Sequence, residues 1–169
     1  MDRRELFASI GTSLKSVVPK QEVLLLRPPY FSDESLFLKE CVNCETKCDT
    51  VCEEEIIKIA NDGTPYIDFS NGGCTYCDEC ANVCDKGILN IEDKKYLNAF
   101  IDIDKTKCMS WNHTMCFSCK DPCLDNAIDF KAMFMPEISD NCTSCGFCIS
   151  RCPADAITIQ IIKEKELNA

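Results

Sequence analysis

The stretch Cys142-Thr143-Ser144-Cys145-Gly146-Phe147-Cys148-Ile149-Ser150-Arg151-Cys152-Pro153 decides how this chain is built. It reads C-x2-C-x2-C-x3-C followed by proline. Three thiolates within seven residues can reach three corners of an iron–sulfur cube from one short loop. The fourth cysteine points elsewhere, and where two such motifs cooperate it ligates the other cluster. Upstream, Cys74, Cys77, Cys80 and Cys84 repeat the spacing without the proline. Cys41, Cys44, Cys48 and Cys52 repeat it with one extra residue between Cys44 and Cys48. In Cys108, Cys116, Cys119 and Cys123, the seven residues Met109 to Met115 separate the first two cysteines. All sixteen cysteines thus fall into four groups of four, which predicts four [4Fe–4S] clusters with every cysteine a ligand.

Two rival uses of cysteine fit less well. A disulfide framework spreads its cysteines to staple distant loops, whereas these crowd into short clusters with no secretory signal before them. Structural zinc draws together two separated C-x2-C knuckles, four ligands to an ion, which is not this pattern. Iron–sulfur chemistry is the better reading.

A chain of 169 residues with this repeat is expected to form two small units. At about seventy residues each, a hydrophobic core alone is marginal, so cluster insertion and folding should be coupled and the apo-protein largely unfolded. The formal net charge is −10 before any thiolate is counted. Sixteen thiolates and four oxidised 2+ cores would take it to about −18. Such a charge disfavours nucleic acid and anionic membranes, and it suits a basic patch on a protein partner as well as plain solubility.

Arg3-Arg4 hints at a twin-arginine signal, but Gly11, Thr12, Ser13, Lys15 and Ser16 break up the apolar region such a signal needs. Leu6, Phe7, Ile10 and Leu14 instead suggest an amphipathic helix. A cytoplasmic protein without a membrane span is expected, because Val23 to Leu26 is the longest aliphatic run in the N-terminal stretch.

After each group the chain repeats itself. The fifth and seventh residues beyond the last cysteine are apolar: Ile57 and Ile59, Leu89 and Ile91, Ile128 and Phe130, Ile157 and Ile159. The fourth is Ile56, Ile88, Ala127 or Ala156. This predicts a helical turn leading into a strand with one buried face. Further strands are expected at Tyr66–Phe69, Phe100–Ile103 and Pro136–Ile138, with a hairpin loop at Asn61-Asp62-Gly63. The fold class is therefore α+β: two tandem bacterial-type two-cluster ferredoxin modules, residues 28–98 and 99–169, behind an N-terminal extension, residues 1–27. The crossed pattern assigns Cys41, Cys44, Cys48 with Cys84, and Cys74, Cys77, Cys80 with Cys52. In the second module it assigns Cys108, Cys116, Cys119 with Cys152, and Cys142, Cys145, Cys148 with Cys123.

Four thiolates per cluster fill every iron site, which favours one-electron transfer over catalysis at the metal. No glycine loop for phosphates and no acid–base constellation is visible, so no enzyme activity is expected. The long insert of the third group holds the only tryptophan and the only histidine. Trp111 is expected to shield a cluster. His113 is either a surface residue, a ligand or a modulator of a cluster. Asp78, Glu79 and Asp85 flank the second group against Lys86, and Arg151 flanks the fourth. Clusters built on the second group are therefore expected at lower potentials than those on the fourth.

Arg3-Arg4, the stretch Arg27-Pro28-Pro29-Tyr30 with Asp33-Glu34 and Phe37-Leu38, the C-x7-C-x2-C-x3-C of the third group and the closing Cys142 to Thr158 together resemble the NapF family of ferredoxin-type proteins, encoded with periplasmic nitrate reductases. The likeness covers nearly the whole chain, and the extra residue in the first group departs from it. It implies a cytoplasmic protein that meets the molybdenum-containing catalytic subunit before export and helps assemble that subunit's iron–sulfur cluster. The residues themselves equally support an electron carrier, or a soluble subunit of a larger oxidoreductase.

Overall fold

In the computed structural model, residues 24–45 and 48–162 are described; the amphipathic helix expected at Leu6 to Leu14 lies outside them. Among the described residues, three antiparallel strand pairs form. β1 (Ile57–Ile59) pairs with β2 (Pro65–Ile67), and Ile57 faces Ile67 across the ladder. β3 (Ala99–Ile103) pairs with β6 (Ile157–Ile161), and β4 (Ile128–Lys131) with β5 (Met135–Ile138). A bridge between Phe31 and Leu89, with the Asn90 N–H donating to the Tyr30 carbonyl at 2.8 Å, stands where a fourth pair would be. Short strands and single-turn helices give the make-up of a ferredoxin-type fold.

The hairpins follow from their turn residues. The Asp62 carboxylate accepts from the Thr64 N–H at 3.0 Å and its hydroxyl at 2.6 Å, while Gly63 takes φ +80°, closing the turn between β1 and β2. Ala132 and Met133, both at positive φ, turn β4 into β5. Pro136 sits on β5 opposite Phe130, a place proline tolerates because this strand pairs on one side only.

Two expectations change. The predicted helical turn after each group is not where helix forms. α1 (Glu79–Asn82) and α2 (Phe147–Ser150) lie inside the second and fourth groups, across an x3 gap that is one helical turn long; the same gap at 48–52 and 119–123 holds turns and no helix. The strand expected at Leu89 and Ile91 shrinks to the single bridge. There the Asn90 side chain accepts from the Glu92 N–H at 3.0 Å and starts a 3-10 turn (Ile91–Asp93), leaving Ile91 exposed.

Two apolar cores support the cysteine loops. The first gathers Leu26, Tyr30, Phe31, Phe37, Ile56, Ile67 and Phe69; the second gathers Ile101, Ile103, Ile128 and Ile157. Ile149 and Ile159 pack against both, so the cores abut. Two glycines make that junction possible. A Cβ on Gly73 would stand 2.5 Å from the Phe147 nitrogen, and one on Gly146 would overlap the Phe69 ring. Each half thus seats an aromatic ring on a glycine of the other.

Candidate iron–sulfur sites

One backbone device recurs after every group. The third residue beyond the last cysteine is left-handed: Glu55 at φ 53°, Gly87 at 66°, Asn126 at 50° and Asp155 at 46°. Its N–H returns to the carbonyl of that cysteine at 2.9, 3.0, 3.2 and 3.4 Å respectively. The turn drives the next side chain inward: Ile56, Ile88, Ala127 and Ala156 are all buried. In three groups it also aims an N–H at sulfur. Leu89 donates to Cys84 Sγ at 3.5 Å, Ala127 to Cys123 at 3.2 Å and Ala156 to Cys152 at 3.3 Å. The second and fourth groups share a further feature. Residues on both sides of the second cysteine, Tyr76 and Asp78, Ser144 and Gly146, have positive φ. That twist wraps a short loop around a central volume.

The cysteines gather across groups. Cys41, Cys44, Cys48 and Cys84 line a cavity of about 310 Å³ with Phe37, Val42 and Leu89. Cys74, Cys77 and Cys80 line another with Cys52, of about 40 Å³. Cys108, Cys116 and Cys119 share one of about 20 Å³ with Cys152. In the fourth set, Cys123 and Cys142 are electrostatic neighbours of both Cys145 and Cys148. Each run of three thus has a cysteine of the neighbouring group beside it, and Cys148 also has Cys119 and Cys80 also has Cys48 as neighbours. All sixteen are free thiols.

Burial pushes these thiols up. Cys41 and Cys48 rise to about 11, Cys119 to about 11, and Cys74, Cys80 and Cys148 to about 12. Desolvation is the largest cause throughout, and neighbouring cysteines add to it. Thiolates packed together at neutral pH therefore need a multivalent cationic core. Soft sulfurs gathered from two groups, with N–H groups aimed at several of them, are the donors a [4Fe–4S] cluster takes, and such a cluster would supply reversible one-electron chemistry.

Some polar residues near the sites were not legible beforehand. Lys94 donates to Asp78 Oδ1 at 2.8 Å and Tyr30 donates to the same oxygen at 2.6 Å, holding the Asp78 carboxyl below the usual range. The charge thought to depress the second group is thus compensated. Asp125 accepts from the Thr143 hydroxyl at 2.6 Å and adds negative charge beside Cys145. Asp78's share in the expected order of the two potentials is thereby offset, while Glu79 and Asp85 still flank the second group. Lys94 lies sixteen residues beyond Asp78, and Asp125, though two residues after Cys123, acts through its bond to Thr143 across the fold, which spacing does not reveal. Trp111 is half-buried against the second core; its indole N–H donates to the Pro136 carbonyl at 3.2 Å, and Lys105 lies over its ring. His113 is exposed, with its ring against Phe134.

The two halves meet at cysteine loops. The Cys74 N–H donates to the Cys145 carbonyl at 2.6 Å, and the Tyr76 hydroxyl donates to the Thr143 carbonyl at 2.6 Å. This joint places the second and fourth sets side by side.

Comparison with known proteins agrees with this geometry. Residues 136–158, which contain the whole fourth group, match the 4Fe-4S binding domain family. The ferredoxin-type protein NapF of Escherichia coli K12 is 30% identical over 142 residues, covering 81% of this chain and 85% of that protein. The protein of the same name from Haemophilus influenzae is 34% identical over 152 residues, covering 87% of this chain and 85% of its own length. An iron–sulfur protein, this chain belongs to the NapF family of ferredoxin-type proteins.

Proposed function

We propose that the chain carries four [4Fe–4S] clusters on the crossed cysteine sets of two ferredoxin modules. In this reading it is a cytoplasmic, non-enzymatic accessory of the periplasmic nitrate reductase system. It would meet the catalytic subunit before export and help assemble that subunit's iron–sulfur cluster. The partner and the compartment come from the family resemblance. The observation that supports a maturation role is the inequality of the sites. The first set, on the loop with the additional residue, borders about 310 Å³, against about 40 and 20 Å³ at the second and third. Exposed Leu38, Val42 and Ile59 lie on or beside that loop or line its cavity. A cluster held there is accessible to a protein partner, as a labile cluster must be.

A second reading, electron relay, draws support from the joint between Cys74 and Cys145. Relay between neighbouring clusters needs them close, and the joint brings sets from both halves together.

One experiment separates the two. The exported catalytic subunit is purified from a strain lacking this chain and assayed with an artificial electron donor. An inactive subunit short of iron is the expected result and means maturation. A fully active subunit in cells that respire nitrate poorly means relay. Normal subunit activity together with normal respiration would dismiss both.

A further inference from the structure

Ser110 lies in the seven-residue insert that distinguishes the third group, and it is 1% exposed. Its Oγ is buried without a hydrogen-bond partner. The other such atom among the described residues, Arg27 Nε, has the Glu34 carboxylate at 3.5 Å. A buried hydroxyl without a partner costs about 1–3 kcal/mol, so its place in the fold calls for an acceptor.

The surroundings narrow what that acceptor is. Ser110 lines the same cavity as Cys108, Cys116, Cys119 and Cys152, whose other walls include Ile103, Pro136 and Ile157. Those walls offer no side-chain oxygen or nitrogen. A second serine there, Ser118, accepts from the Cys116 thiol at 3.7 Å and makes no hydrogen bond with Ser110. The fourth group supplies an internal comparison. Ser144 stands two residues after Cys142, as Ser110 stands two after Cys108, and it is also buried. Its hydroxyl donates to the Ala99 carbonyl at 2.6 Å. Ser110 has the same offset without that backbone acceptor, and sulfur is what its cavity offers.

We propose that Ser110 is a tuning residue whose hydroxyl donates to a sulfur of the cluster held by Cys108, Cys116, Cys119 and Cys152. The inference rests on the cluster assignment above. Hydrogen bonds to cluster sulfurs offset the charge gained on reduction, so this donor raises the potential of the third-set cluster. The difference from the fourth group is the direction of the hydroxyl: Ser144 turns its own to the Ala99 carbonyl, whereas Ser110 keeps its own for the cavity.

The test is an anaerobic potentiometric titration of the reconstituted full chain, followed by EPR, on Ser110→Ala and on the pair Ser110→Thr and Ser110→Val. The last two match in shape and differ in the hydroxyl. Iron and sulfide are counted first. In Ser110→Ala, with full iron, one cluster is expected to become about tenfold harder to reduce at fixed potential, equivalent to about 59 mV for one electron. Thr restores the parent value and Val does not. Should Ala lose iron, the Thr and Val pair carries the comparison. Full iron with no cluster shifted in Ala or Val overturns the proposal and means that a water satisfies Ser110. A parent protein that takes up no iron at the third set overturns the cluster assignment instead.

Discussion

Replacing Cys145 by serine removes a soft sulfur from the fourth set, at a position 8% exposed where an alkoxide is a poor substitute for thiolate. The variant should hold about four fewer iron atoms than the parent, one cluster's worth. Its second core should also melt earlier, because Cys148 and Ile128 pack there around the lost centre. Iron analysis with thermal denaturation under nitrogen checks both. Lys94 acts on the cluster through its charge on Asp78. Lys94→Ala leaves the Asp78 carboxylate beside Cys77 without its cation, and a nearby negative charge disfavours adding an electron. One reduction wave, that of the second-set cluster, should fall to lower potential, and Lys94→Arg should largely restore it. An unmoved wave would mean that solvent screens the pair, whose lysine is half exposed.

At the scale of elements, the left-handed turn after each group is a shared design filled by different residues. Gly87 and Asn126 suit it, and Asp155 tolerates it, whereas Glu55 at φ 53° is held there against its preference. Its side chain is exposed, so packing gives little in return for that backbone. Glu55→Gly should therefore stabilise the protein by about 0.5–1 kcal/mol, after the glycine's extra unfolded-state freedom is subtracted. A higher thermal midpoint with unchanged iron content is the readout. This turn also marks the limit of what the residues disclosed. The apolar tails behind it were legible because β-strands bury alternate side chains, and β1, β4 and β6 begin at Ile57, Ile128 and Ile157, each the fifth residue after its cysteine. The cysteine grouping was legible because cluster ligation is local in three of four ligands. Ser110, Lys94 and Asp125 were not, since each matters only through what folding sets beside it. The turn itself escaped because backbone sign leaves little trace when Glu, Gly, Asn and Asp all serve.

For the molecule as a whole, the cores are small and the cysteines form part of them, so metal and fold should stand or fall together. Anaerobic chelation is expected to abolish most of the far-UV signal and the cooperative thermal transition, with the first-set iron released soonest. A chain that keeps its fold without iron would show that the apolar contacts suffice. The reciprocal seating of Phe147 on Gly73 and of Phe69 on Gly146 ties the halves together. Gly146→Ala would force a methyl against the Phe69 ring at a backbone φ of 86°. It should cost about 1–3 kcal/mol, read as a lower midpoint, and weaken any magnetic coupling between reduced clusters of the second and fourth sets. That same interlock sets an order of events during synthesis. At about 5–20 residues per second, the ribosome delivers Phe147 several seconds after Gly73. For that interval the nascent first half displays an uncovered aromatic ring and a bare glycine shelf beside thiols already able to take up iron, and it can finish closing only when the fourth cysteine group has been made.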